Sequence, residues 1–587
     1  MSTRALSSKR PGKVERVGTA RLRILSMLIM ALVLAGAVWS RLAYWQVAEH
    51  GLLATAAQEQ YREFVELPAI RGAIFDRNLT QLVVNTTVYS AFVSPDQINA
   101  GERDTVASGL ASVLGVDRQS VMTTLESNAK FAYIARRFSK DKADALKALK
   151  LPGVGLQPET QRSYLPGAEA GTTLASDLLG FVNWNSDGQA GIEMKYQKTL
   201  AGTPGYISSY RDLANNEIVL GSHSDQNPVN GQDLVLSLDA NIQYAAEQAL
   251  ADGIKRDNAE SGSVLIMDPS TGGIVAWADY PSYNANNFVH TDPALFKDNV
   301  VSYLYEPGSV MKTVTLSGAL NVGAIQPNTV INDPGYLDVG GYRIYDWNHH
   351  NYGNIDYTKV LESSLNVGAM KAMEAEGHDA FYKNLQAFGL TQPSGIDVAG
   401  EAFYPPPAQA QMADAQYATA SFGQGIQVNM VQMLAAVNVI ANGGKYAPPH
   451  VVERVGTQIN PVVLQPQRQV ISPDAAAKMT WMMEQVVQHG SGWTSRVHGF
   501  ETDQAGKTGT AQIPVNGQYT LDVWTSFVGF LPAQHPRFTM LVVTRKPHYP
   551  GADKDWTLND GYLTAEPIWQ KIAQTMVVDW HITPDPH

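Results

Sequence analysis

From Ile24 to Ser40 the chain carries no charged residue, and this run constrains topology more than any other feature. Seventeen residues is the short end of what spans a hydrocarbon core of about 30 Å. Leu42, Tyr44 and Trp45 extend the run, and Trp39 and Trp45 suit the membrane interfaces. Residues 1–23 hold seven Lys/Arg against one acid, Glu15. Positive-inside logic then places a basic tail (1–23) in the cytoplasm, one transmembrane anchor at 24–46, and the bulk of the chain outside. The competing reading is a cleaved signal peptide. Its apolar core would be unusually long, and Ala54-Thr-Ala56 makes a poor cleavage site. Gly36 and its small neighbours suit either lipid or a helix of another membrane protein.

At 587 residues the chain exceeds one ordinary core, so two or three domains are expected. Seven cations and one acid give the tail +6, so of the net −12 the remaining residues carry −18. No basic stripe survives to hold nucleic acid. The absence of cysteine excludes disulfides, thiolate chemistry and zinc–thiolate sites. Residues 50–228 read as a mixed α/β module with strands Phe64–Leu67 and Val88–Val93 and a charged helix Asp141–Leu149, and no catalytic constellation. The turn-rich stretch Gly221 to Gly231 reads as a linker. A larger domain at 231–580 opens with strand Asp233–Leu238 and a helix from Asn241. Ser270-Thr-Gly-Gly273 reads as a hairpin turn between Ser263–Asp268 and Gly273–Ala278. Strands Thr525–Leu531 and Phe538–Thr544 precede a C-terminal helix near Pro567–Val577.

Three short motifs in the larger domain carry the chemistry: Ser309-Val-Met-Lys312, Ser364-Leu-Asn366 and Lys507-Thr-Gly-Thr510. Glu306-Pro307-Gly308 breaks the chain before Ser309, and Val310 to Leu320 is an apolar helical run. Ser309 therefore falls near a helix N-terminus, with Lys312 one turn away on the same face. That spacing lets an amine reach a hydroxyl. In isolation it reads equally as a helix cap followed by a surface lysine. Other copies, Ser127–Lys130, Ser139–Lys142 and Ser282–Asn284, lack this context. Lys507 to Thr510 reads as a strand that presents a cation and hydroxyls to a carboxylate, or as an edge strand with a protective lysine. Ser364 and Asn366 alone suit a helix cap or a loop hydrogen bond. His349-His350 reads as a loop, because no carboxylates stand at coordinating spacing.

Together the three motifs resemble the active-site signature of the penicillin-binding protein and serine β-lactamase superfamily. Arg71-Gly-Ala-Ile-Phe-Asp76-Arg77-Asn78, Arg162-Ser-Tyr164-Leu-Pro166-Gly167 and Gly191-Ile-Glu193-x-x-Tyr196 with Leu200-x-Gly202 are similar to the N-terminal module of class B members. Gly231 to Asp239 with Gln243, Met267-Asp-Pro269 through Gly272, Pro281 to Asn286, Phe422-Gly-Gln-Gly425 and Asn442-Gly-Gly444 are similar to their transpeptidase domain. The likeness spans roughly residues 24 to 575. Departures are Leu79 for a usual Gly, Val83 for Ala, Leu365 for Ser, and one extra residue in Tyr164-Leu165-Pro166.

The resemblance implies an α+β fold: an antiparallel sheet flanked by helices, preceded by an elongated pedestal (dimerisation-like) module and the membrane anchor. It implies a serine acyl-enzyme formed from D-Ala-D-Ala stem peptides, inhibited by β-lactams, with no cofactor and no metal. Ser309 would be the nucleophile and Lys312 its base. Ser364 would relay a proton, and Asn366 would orient Lys312. Lys507, Thr508, Gly509 and Thr510 would hold the terminal carboxylate. Backbone N–H groups of Ser309 and Thr510 would form the oxyanion hole. The Arg71–Asp76–Arg77 motif is expected to be a salt-bridged junction. Implied partners are a polytopic SEDS-type glycosyltransferase and other wall-synthesis proteins of the bacterial inner membrane. Septal synthesis fits the length and short tail better than elongation. A carboxypeptidase or β-lactamase of the same fold, and a catalytically silent scaffold for a glycan polymerase, are the alternatives.

Overall fold

Helical and strand periodicities sort the chain into two compact units in a computed structural model that describes residues 15–53, 62–210, 224–456, 466–515, 517–549 and 559–586. Ala54-Thr-Ala56, most of the basic tail and part of the linker lie outside the described residues.

One unit comprises residues 1–69 and 203–229. It holds the helix Glu15–Ala43, continued by a wider turn at Tyr44–Ala48. Residues 21–48 are long and apolar enough to cross a membrane. The unit also holds an antiparallel sheet in the order Arg62–Leu67, Gly205–Tyr210, Ser224–Gln226.

The other unit comprises residues 70–202 and 230–587. At its centre is a five-stranded antiparallel sheet in the order Ile274–Tyr280, Ser261–Met267, Phe538–Arg545, Gln518–Leu531, Ala505–Val515. Both faces are covered, which explains the apolar runs Val264–Met267, Ile274–Ala278 and Met540–Val543 within its strands. Side chains alternate across a strand. Val264 and Ile266 join a cluster with the helices Ala240–Arg256 and Ala565–Asp579, through Leu250, Ile568 and Trp569. Leu265 and Met267 face the opposite way, into a core with the helices Met311–Asn321, Met430–Ala441 and Pro473–His489. Met311–Asn321 is buried on every side, as expected of a helix without a polar face.

A second sheet links distant segments in the order Val452–Val455, Leu234–Leu236, Ile74–Phe75, Gln81–Val93, Ala132–Phe138, with Val154–Tyr164 also paired to Gln81–Val93. Leu234–Leu236 runs parallel to Ile74–Phe75 and antiparallel to Val452–Val455. Beside this sheet the motifs of residues 71–202 converge. Arg71 and Arg162 both donate to the fully buried Glu193 carboxylate, Arg162 Nε at 2.7 Å from Oε1 and Arg71 Nε at 2.8 Å from Oε2. Tyr164 Oη donates to Glu193 Oε1 at 3.4 Å. Asp76 does not pair with either arginine. Its carboxylate accepts N–H groups of Asn78, Thr80 and Ala240. Leu79 closes this turn in the left-handed region, at φ 65°.

Candidate active site

The breaker Pro307-Gly308 delivers Ser309 on a short 3-10 turn, Gly308–Val310, that runs directly into the helix Met311–Asn321. Three residues on, Lys312 folds back onto it, with Nζ 3.0 Å from Ser309 Oγ. Ser364 sits between the helices Tyr357–Glu362 and Asn366–Glu376 with φ 56°, a left-handed backbone that aims both its oxygens at the lysine. Lys312 Nζ donates to Ser364 O at 2.5 Å and to Asn366 Oδ1 at 2.9 Å, and lies 3.4 Å from Ser364 Oγ. Lys507 Nζ reaches the same hydroxyl from the edge strand Ala505–Val515, at 3.0 Å, and holds Thr508 O and Oγ1 at 3.1 Å. Residues scattered over 200 positions thus form one chain of contacts: Ser309, Lys312, Ser364, Lys507.

Both lysines are fully buried, so Lys507 is no protective surface cation. Desolvation pushes the Lys312 amine well below its ordinary value, and the positive charge of Lys507 pushes it the same way. Desolvation lowers Lys507 to about 8. An uncharged amine beside a hydroxyl is what proton abstraction requires.

The turn that carries Ser309 is braced from behind. Gly308 N donates to Gly423 O at 3.0 Å. Both glycines have positive φ, and a Cβ on Gly423 would stand 2.1 Å from Gly308 O. A Cβ on Gly308 would stand 2.7 Å from Thr510 O, so the turn also abuts the edge strand. Gly509 pairs with Ser526 in the ladder between Thr508 and Thr510.

These residues open on a cavity of about 490 Å³ lined by Ser309, Ser364, Asn366, Thr508, Thr510 and Asp560, among others. A second cavity, of about 420 Å³, lies among Arg77, Asp239, Asp268 and Arg537 and presents no activated hydroxyl. Thr508 Oγ1 and Ser491 Oγ are 2.8 Å apart. Thr510 Oγ1 donates to Asp560 Oδ1 at 2.9 Å, an arrangement that puts a carboxyl group beside the lysine and hydroxyls that the sequence assigned to carboxylate binding. Burial raises the Asp560 pKa, which favours its neutral form there.

Sequence reasoning missed Ser491, Asp560 and Asp346, all of which line this cavity. Asp346 Oδ1 accepts from Asn366 N at 2.6 Å and Val367 N at 3.0 Å, capping the helix that bears Asn366. The available signal was the segment Asp346-Trp-Asn-His-His, where the histidines drew the eye. His349 and His350 do lie in a loop, and His349 lines the cavity. No group of side chains that could hold a metal ion occurs among the described residues. The other motif copies sit elsewhere: Ser127 in a turn, Ser139 before the helix Lys140–Ala148, and Asn284 as the cap of Ala285–His290.

Comparison with known proteins bears on the domains and the fold. Residues 262–574 match the penicillin binding protein transpeptidase domain, and residues 66–236 the penicillin-binding protein dimerisation domain. The chain is 30% identical over 523 residues to the peptidoglycan D,D-transpeptidase FtsI of Escherichia coli, covering 87% of this chain and 86% of that protein. It is 27% identical over 580 residues to stage V sporulation protein D of Bacillus subtilis, covering 96% and 87%. Among solved structures, a peptidoglycan synthetase from Bifidobacterium adolescentis superposes with TM-score 0.70 at 26% identity, covering 90% of this chain and 98% of that one. Penicillin binding protein 3 of Mycobacterium tuberculosis, complexed with aztreonam, superposes with TM-score 0.68 at 23% identity, covering 89% and 98%, and speaks for the fold.

Proposed function

The chain belongs to the penicillin-binding protein transpeptidase family, and on that premise we propose that it cross-links peptidoglycan stem peptides through an acyl-enzyme on Ser309. One observation carries the reading: Lys312 Nζ lies within 3.0 Å of Ser309 Oγ while burial and Lys507 hold the amine below its ordinary pKa. Lys312 takes the hydroxyl proton as Ser309 Oγ bonds to the carbonyl carbon of the penultimate D-alanine. The C–N bond to the terminal D-alanine then breaks, and Ser364, hydrogen-bonded to Lys507, passes a proton to the leaving amine. Asn366 holds Lys312 in place through its Oδ1. Lys507, Thr508, Gly509 and Thr510 bind the terminal carboxylate. Backbone N–H groups of Ser309 and Thr510 stabilise the oxyanion, a contribution of roughly 3–4 kcal/mol per donor. An amine of a neighbouring stem attacks the acyl-enzyme and closes the cross-link. A β-lactam enters by the same route and stays.

The same reading makes 24–46 a single-pass anchor of the plasma membrane with the basic tail inside, 50–228 a pedestal module and 231–580 the transpeptidase domain. It gives the chain a SEDS-type glycosyltransferase as membrane partner and a place in septal wall synthesis.

The test is covalent labelling of the full chain in detergent by a fluorescent penicillin, beside Ser309→Ala. Persistent label on the wild type alone supports the reading. Rapid release of label with drug turnover points to a hydrolase, and no label on folded wild-type protein points to a scaffold.

A further inference from the structure

Asp333 and Asp346 end two strands, Val330–Asp333 and Tyr342–Tyr345 with its following residue, and both are buried. Each commits one carboxylate oxygen to backbone donors. Asp333 Oδ1 accepts from Gly335 N at 2.8 Å, and Asp346 Oδ1 accepts from the N–H groups of Asn366 and Val367. The other oxygens, Asp333 Oδ2 and Asp346 Oδ2, are buried with no donor. Asp346 acts on Asp333 and pushes it toward its neutral form, in the same sense as burial. Two neighbouring carboxyl groups, each with a buried oxygen that lacks a donor, form an arrangement that a single proton resolves for both. We propose that Asp346 is a positioning residue for Asn366 and Lys312, and that it acts as half of a carboxyl pair sharing one proton with Asp333.

The consequences follow from charge. With one proton the pair carries −1, placed at the N-terminus of the helix Asn366–Glu376, where the peptide dipoles favour it. It fixes the first residue of that helix, and so the Oδ1 that holds Lys312. Both carboxyls act on the Lys312 amine, opposing burial and Lys507. Loss of the shared proton would add a second negative charge and draw Lys312 toward its protonated, non-basic form. The charged groups acting on Asp333 are Asp346, which favours its neutral form, and Lys371 and a protonated Lys312, which oppose that; desolvation is the largest cause, and together they bring the group to about 7.

This inference rests on the acyl-transfer reading, so its test has two arms on the full chain. In the first, the acylation rate constant for fluorescent penicillin is separated from pre-acylation affinity and followed from pH 6 to 9. Asp346→Asn is expected to lower the rate constant tenfold or more with affinity unchanged. Asp333→Asn, whose amide donates permanently to Asp346, is expected to keep the neutral-pH rate and lose the decline centred near pH 7. In the second arm, melting temperature is followed from pH 5 to 8. A carboxyl raised to about 7 adds to the wild type's loss of stability as pH rises toward that value, beside the shares of other raised carboxyls such as Glu484 and Glu566, and Asp333→Asn is expected to make that slope shallower by its own share. An unchanged slope refutes the shared proton, and wild-type acylation in Asp346→Asn refutes the positioning role. A wild type that is never acylated refutes the acyl-transfer reading and the positioning role together, while the stability arm still judges the shared proton.

Discussion

Replacing Gly423 by alanine should slow acylation of Ser309 about a hundredfold although Gly423 is absent from the proposed chemistry. Its φ of 83° costs an L-residue roughly 1–2 kcal/mol. The larger effect is steric, because the new methyl would stand 2.1 Å from Gly308 O and 2.7 Å from Gly308 N. Both are backbone atoms, which cannot swing aside, so the turn that carries Ser309 must move by about 1 Å. Displacement on that scale costs near 10²-fold in rate, or about 2.7 kcal/mol of barrier. The measurement is the acylation rate constant with fluorescent penicillin, read alongside melting temperature. Gly425→Ala is the control: it carries a similar positive φ, but its Cβ meets only Thr419 Oγ1, at 3.2 Å. It should lose stability and keep its rate. Gly423→Ala acylating within threefold of wild type would refute the idea that this contact sets the nucleophile.

Lys507→Gln removes the like charge that adds to burial in depressing Lys312, so the acid limb of the acylation pH profile should move to higher pH. Glu193→Gln leaves Arg71 and Arg162 buried without their carboxylate and should destabilise the chain by about 3–5 kcal/mol in denaturant unfolding. Burial raises Glu566 to about 8 in the fold, so its contribution to stability falls as pH climbs from about 4.5 to 8; Glu566→Gln should remove that one share, worth up to about 5 kcal/mol, and leave a shallower fall in melting curves taken across this range. Leu79→Gly should raise stability by roughly 0.5–1 kcal/mol in the same unfolding assay, since the leucine is 59% exposed and held at positive φ.

The legible part of the site was the part governed by local periodicity. Ser309 and Lys312 are one helical turn apart, and the helix period alone brings them together. The strands of the central sheet announced themselves because both faces are buried. Contacts closed by tertiary structure left little trace. Nothing in Ser364-Leu-Asn366 signals that Ser364 takes a left-handed backbone, and Asp346 meets Asn366 only because the nineteen residues between them, with the strand Gly353–Asp356 and the helix Tyr357–Glu362, fold back on themselves. The hairpin that leads into Asp346, Tyr336–Val339 with Tyr342–Tyr345, had a Gly340-Gly341 turn to mark it. Asp76 shows the opposite failure: charge pairing was the obvious expectation within Arg71–Asp76–Arg77, but the carboxylate caps backbone groups and the distant Glu193 takes the arginine.

The short strand Leu234–Leu236 also bears on how the molecule is made. One neighbour, Ile74–Phe75, precedes it, but the other begins at Val452, roughly 215 residues later. At synthesis rates of 5–20 residues per second, this edge waits roughly 10–45 s for its second partner. During that interval Leu234 and Leu236 must be shielded as the chain emerges, so a chaperone that binds extended apolar segments has a defined target and a defined time window. Expression of residues 231–587 alone would make the exposure permanent on the Ile74 side, and aggregation of that fragment is the outcome to expect.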